Sequence, residues 1–207
     1  MHFVLYVDTI IYMDKWKTLA SDEVIDKTAD ALRKNGFTVM IAQNREDAKK
    51  KALEIIPQGS EVMNMTSVTL DTLGISDEIE NSGLYNSVKN TLKTMDRKTQ
   101  TREMQQLGTA PEYAIGSIHA VTQDGHIMLA SRTGSQMPAY AYGSSHVIWI
   151  VGAQKIVTDV DEAKKRIYEY CFPLEDARAR RVYKTGSKVA KILTINSEVP
   201  ERLTILF

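Results

Sequence analysis

The sequence predicts an α/β fold: a Rossmann-like parallel or mixed sheet with flanking helices. Three observations predict it. β-rich runs alternate with helical ones, the connections between them are short, and the most apolar run, His146–Val151, has the length of a buried strand. The 207 residues are 43% hydrophobic and 25% charged, ordinary for a globular chain. At roughly 100–200 residues per domain they make a single domain.

The elements follow in order. Residues 1–12 (MHFVLYVDTIIY) leave two readings open. Phe3, Leu5 and Val7 alternate as a strand does, or the segment lies upstream of a true start at Met13. It is not a secretory signal, because no basic segment precedes it and Asp14-Lys15-Trp16-Lys17 follows at once. Ser21 and Asp22 are cap-type residues ahead of Val24, Ile25, Thr28, Ala29 and Leu32, one face of a helix that Asn35-Gly36 ends. Residues 37–42 read as a buried strand. Asn44 or Asp47 starts a second helix through Ala48, Ala52, Ile55 and Ile56, closed by Pro57. Gly59-Ser60 is a turn, Glu61–Met65 a strand, and Thr66-Ser67 opens a short helix through Val68, Leu70 and Leu73.

Residues 74–110 are polar, with Met95, Met104 and Leu107 as sparse anchors. They read as a helical insertion of two or three helices. Beyond Pro111, the runs Tyr113–Thr122 and His126–Ser131 form a hairpin around Asp124-Gly125. A type I′ turn is expected there, with Gln123 facing His126 and His119 facing Ala130. The segments Pro138–Tyr142, His146–Val151 and Gln154–Val157 follow, then a helix over Asp161–Phe172. Pro173 stands in the first turn of another helix, which Gly186 ends. Val189–Ile195 and Leu203–Phe207 are the last strands, and the chain stops inside an apolar run, as a truncated one would.

Composition excludes several functions. Lys plus Arg equals Asp plus Glu at 26 each, whereas a nucleic-acid binder relies on a basic surplus. No apolar run approaches the ~18 residues of a membrane span. Cys171 is the single cysteine, so the chain holds no internal disulfide, cysteine-based zinc site or iron–sulfur cluster of its own, and a reducing cytoplasm is the expected setting. With the expected register, His119 and His126 lie about 13 Å apart and cannot share a metal. No metal or other cofactor is expected.

Chemistry is expected in loops at strand ends. Thr66 and Ser67 leave a strand and open a helix, which suits either an anion or simple capping. Thr133, Gly134, Ser135 and Gln136 combine a glycine, two hydroxyls and an amide, which suits either an oxyanion cradle or a structural turn. They match neither a P-loop nor a dinucleotide fingerprint. Glu175 and Arg178 follow Pro173. The acid suits the helix dipole, and the arginine could present a fork to a carboxylate. His119 is either a ligand contact or a hydrogen-bonded, half-buried histidine. Tyr140 and Tyr142 suit a pocket wall, an interface or the core.

The run GSIHAVTQDGHIMLASRTGSQMPAYAYGSSHVIWIVGAQKIV, residues 116–157, resembles the core signature of the LUD domain family, the lactate-utilisation protein C-like group. The similarity extends through residues 13–32, 61–75, 95–108 and 168–179. The resemblance implies the fold shared by ribose-5-phosphate isomerase, glucosamine-6-phosphate deaminase and coenzyme A transferases. It also implies work beside iron–sulfur partners that oxidise L-lactate. Where better-known members carry a Glu-Thr-Gly-Thr-like stretch, this chain reads Thr122-Gln123-Asp124-Gly125-His126, which marks a shorter, stand-alone subgroup. Three functions follow as expectations. The first is an accessory or regulatory protein of organic-acid utilisation that binds a small anionic metabolite. The second is an enzyme acting on a sugar phosphate or acyl-CoA-type substrate. The third is a homo-oligomeric interaction module using the Tyr140/Tyr142 face.

Overall fold

The computed structural model describes residues 15–207, so both readings of residues 1–12 lie outside the described residues. A six-stranded parallel sheet forms the centre. Its strands are β1 (Thr38–Met40), β2 (Glu61–Asn64), β3 (Asn86–Ser87), β4 (Tyr113–Gly116), β7 (His146–Ile150) and β10 (Leu203–Leu206), in the order β1-β10-β7-β4-β2-β3. A second, mixed sheet orders β8 (Ile156–Val157), β5 (Ala120–Thr122), β6 (Ile127–Ser131) and β9 (Lys191–Ile195). The helices are α1 (Asp22–Lys34), α2 (Arg45–Glu54), α3 (Val68–Thr72), α4 (Ile75–Asn81), α5 (Val88–Thr94), α6 (Thr101–Thr109), α7 (Val160–Arg166) and α8 (Phe172–Tyr183). None among the described residues is long and apolar enough to cross a membrane.

Local chemistry sets the boundaries. Ser21 Oγ accepts from Val24 N at the head of α1, and Asn44 Oδ1 accepts from Asp47 N (2.9 Å) at the head of α2. β4 and β10 are buried at every position, as parallel strands covered on both faces must be. Alternate residues supply two cores. Val62, Tyr113, Ile115, Ile148 and Ile150 meet α2, α3 and α4 through Ala52, Leu70 and Ile75. On the other face, Ala114, Val147, Trp149 and Ile205 meet Leu32 of α1 and the second sheet through Val121, Ile127 and Leu129. The far side of that sheet is sealed by α7 through Ala163, with Ile167. The layers therefore run helix, parallel sheet, mixed sheet, helix. A sheet covers most of the face where the sequence reading had placed helices.

Several expectations change. The run Tyr113–Thr122 is not one strand. It breaks at residues 117–119, so β4 enters the parallel sheet and β5 the mixed one. The hairpin is present, but its loop has three residues. Gly125 N donates to Thr122 O (2.9 Å), and only Gly125 has positive φ (87°), which is a type I turn closed by a glycine bulge rather than type I′. The register moves by one residue, so Ala120 faces Met128 and Thr122 N donates to His126 O. Residues 74–110 hold three helices as read, yet they also contribute β3 and bury Ile75, Ile79 and Val88. Tyr140 and Tyr142 share no face. Tyr140 is buried edge-on against Trp149 (5.1 Å), and Tyr142 is 90% exposed. Residues 167–171 form a wide π turn joining α7 to α8, which carries the chain past Pro173, a residue with no N–H to donate. That helix ends at Lys184, in a left-handed conformation (φ 59°), before Gly186.

Candidate functional site

The site is built where the strand order reverses. Beyond β2 the chain turns into α3 and α4 and continues to β3 on one side. Beyond β4 it turns to the opposite face, into the mixed sheet, and returns through β7 on the other side. By topology, this switch point at the carboxyl ends of β2 and β4 is the crevice position at which open α/β sheets bind ligands.

Lys155 spans this crevice. A short turn over Ala153–Lys155, just after β7, presents it. Its Nζ donates to Ser117 Oγ (2.6 Å), one residue beyond β4, and to Thr69 Oγ1 (3.2 Å) on α3. Ser117 directs its own proton to Ile150 O at the end of β7, so it can only accept from the lysine. Burial, and then the nearby Arg166 guanidinium, lower the Lys155 pKa to about 8.

Arg166 is 2% exposed. Its Nη1 donates to His119 O and Cys171 Sγ (3.0 Å), and Nη2 to Trp16 O (3.4 Å), while Nε has no partner among the described residues. The π turn makes this possible, because it sets Cys171, five residues on, beside the guanidinium. Burial pushes the Cys171 thiol up despite the cations, so it is no thiolate nucleophile. Among the described residues neither Lys155 nor Arg166 has a carboxylate in ion-pair reach. With Arg166 buried, Lys155 half-buried and no carboxylate partner for either among the described residues, the site has a positive field that a bound anion would neutralise.

His119 lies between these groups. Its Nδ1 accepts from Ala130 N (3.1 Å), which assigns the ring proton to Nε2. Burial, then Lys155 and Arg166, lower its pKa to about 4, so at neutral pH it is an uncharged N–H donor rather than an acid. It lines a cavity of about 40 Å³ with Ser131, Cys171 and Glu175, room for a few waters and too small for a metabolite. A larger groove of about 690 Å³ lies between α1 and the hairpin turn. It is open, and Lys27 and Lys34 there are balanced by Asp30 and Asp124. Its charges cancel, so it is the weaker candidate.

The other sequence candidates divide. Thr66 is exposed at the mouth of the crevice, and Ser67 caps α3 by accepting from Leu70 N (3.4 Å). The 133–136 loop is not an open cradle. Gly134 N donates to Ser131 Oγ (2.9 Å), Ser135 N to Thr133 Oγ1 (3.3 Å), and Gln136 Oε1 accepts from Ser131 Oγ (3.1 Å). The buried Gly134 also packs against the Lys191 stem. Arg178 gives its fork to Glu175 through two bonds of 2.7 Å, so it is not offered to a ligand. Sequence reading missed Lys155, Ser117, Thr69 and Arg166. The usable signal was the position of Lys155, directly after the most apolar strand.

The family model described as LUD domain matches residues 25–207. A crystal structure of a DUF162 family protein from Deinococcus radiodurans superposes with a TM-score of 0.55 at 11% identity, covering 91% of this chain and 98% of that one. A ribose 5-phosphate isomerase from Plasmodium falciparum matches with a TM-score of 0.33 at 15% identity, covering 55% and 52%. A comparison with curated proteins gives no match.

Proposed function

This chain belongs to the LUD domain family, and on that footing we propose that it binds a small 2-hydroxy or 2-oxo carboxylate in the β2/β4 crevice, as an accessory or regulatory component of organic-acid utilisation. The observation that carries the reading is Lys155, a half-buried ammonium held only by hydroxyls at a strand-order reversal. A carboxylate would be drawn by the combined positive field of Lys155 and Arg166, and the hydroxyls of Thr69 and Thr66 suit the adjacent oxygen of the same ligand. Electron transfer would fall to iron–sulfur proteins acting beside it, since one cysteine cannot hold a cluster.

The test is a thermal-shift titration with L-lactate, pyruvate and inorganic phosphate, on the wild type and on Lys155→Met. At a hundredfold excess over Kd, binding stabilises by about 2.7 kcal/mol, a rise of roughly 5–10 °C for a chain of this size. The expected result is a rise with lactate or pyruvate that Lys155→Met loses. No shift with any of the three, or an equal shift in the variant, refutes the reading.

A further inference from the structure

From the arrangement around the crevice we infer that Lys155 is a nucleophilic amine that condenses with the carbonyl carbon of a bound 2-oxo acid to form an imine. The inference rests on the carboxylate-binding reading above and names the member of that class on which the chain acts. Two hydroxyl acceptors fix the amine: Ser117 Oγ at 2.6 Å and Thr69 Oγ1 at 3.2 Å from Nζ. Once Lys155 is neutral, its two N–H bonds point at these oxygens. Its lone pair then takes the remaining vertex, away from both. Ser117 is locked as an acceptor because its proton goes to Ile150 O. No carboxylate holds the ammonium form among the described residues, and Arg166 works against it. The neighbouring Cys171 does not compete as nucleophile, since burial keeps it a thiol.

The balance is simple. The Nζ lone pair forms the C–N bond while the carbonyl oxygen takes a proton, giving a carbinolamine. That oxygen leaves as water, which carries off both amine hydrogens, and the C=N bond forms. No oxidant, reductant or cofactor is consumed. Arg166 and the Nε2–H of His119 supply positive charge and a donor nearby. In the free protein the lowered pKa leaves a larger unprotonated fraction at neutral pH than an ordinary lysine has. Weaker basicity gives back part of that in intrinsic nucleophilicity, as for thiols.

The test is reductive trapping of the full chain with pyruvate and borohydride, with peptide mass mapping of every lysine and parallel thermal shifts. The expected result is labelling of Lys155 at least about tenfold above the surface lysines, suppressed by excess lactate, which occupies the site but has no carbonyl. Lys155→Arg keeps the charge and should lose the enriched label. Pyruvate that raises Tm but labels the lysines evenly overturns the imine and leaves the binding reading intact. If neither lactate nor pyruvate raises Tm and no lysine is enriched, both fall.

Discussion

Replacing Lys155 by Met is expected to make the protein more stable at neutral pH while abolishing ligand binding. The folded chain encloses an ammonium whose pKa has fallen from 10.5 to about 8. At about 1.4 kcal/mol per tenfold change in proton affinity, keeping the charge there at pH 7 costs up to ~3 kcal/mol. Partial solvent access reduces this, so ~1–3 kcal/mol is the expected range. Met fills similar volume without the charge. Ser117 keeps its bond to Ile150 O, so the deletion strands no buried donor. Between roughly pH 8 and 10.5 the unfolded chain carries a proton on this lysine that the folded chain has released, so its contribution to stability rises with pH through that window. Above it both states are neutral and the penalty is gone. The groups that face Lys155 are Arg166 of α7, Cys171 of the π turn, His119 and Ser117 after β4, and Thr69 of α3. Urea unfolding of both proteins at pH 7 and at pH 10.5 measures the difference. The variant should lead by ~1–3 kcal/mol at pH 7 and by almost nothing at pH 10.5. A variant less stable than wild type at pH 7, or a gap that does not change with pH, refutes the reasoning.

Gly116→Ala should cost ~1–3 kcal/mol, because a Cβ there overlaps Tyr140 Oη and comes within 3.1 Å of Cζ and 3.3 Å of Met65 Cβ. Tyr140→Phe should recover part of the loss in a double-mutant cycle, and strict additivity would count against the contact. His119 should stay neutral down to about pH 4 with its proton on Nε2, which ¹⁵N NMR of the ring reads directly; an imidazolium at pH 6 contradicts the geometry. Burial would raise the Glu80 pKa, but Lys89, Lys93 and Asn64 outweigh it and hold it at about 2. Its stabilisation is therefore full above about pH 4.5 and lost as pH falls toward 2. Glu80→Gln should cost ~1–3 kcal/mol at pH 7, with the gap to wild type closing in acid denaturation profiles.

Features that depend on neighbours in sequence were legible, and those that depend on neighbours in space were not. The caps at Ser21 and Asn44 are contacts across three residues; residue types placed the first and narrowed the second to Asn44 or Asp47, of which the structure selects Asn44. The division of Tyr113–Thr122 was invisible because Ile115 and Val121 are equally apolar and each is fully buried, one in either core. What separates them is pairing with different partners, β4 with β2 and β7 and β5 with β6 and β8, which no local pattern encodes. Thr133–Gln136 has the composition of an anion cradle, yet Ser131, two residues earlier, takes up its polarity. Lys155 sits in an unremarked Ala-Gln-Lys stretch. Its role comes from β2 and β4 meeting in the sheet, and the one local hint is its place shortly after the apolar run of β7.

The sheet order also bears on how the chain is assembled as it leaves the ribosome. Among the described residues β1 pairs only with β10, and Thr38 meets Thr204, 166 positions later (204 − 38). Until those late residues are synthesised, β1 has no partner strand among the described residues, while β2, β3 and β4 can already associate. Such long-range closure makes the last step of folding slow and leaves the exposed edge of β7 open to pairing with another nascent chain in the interval.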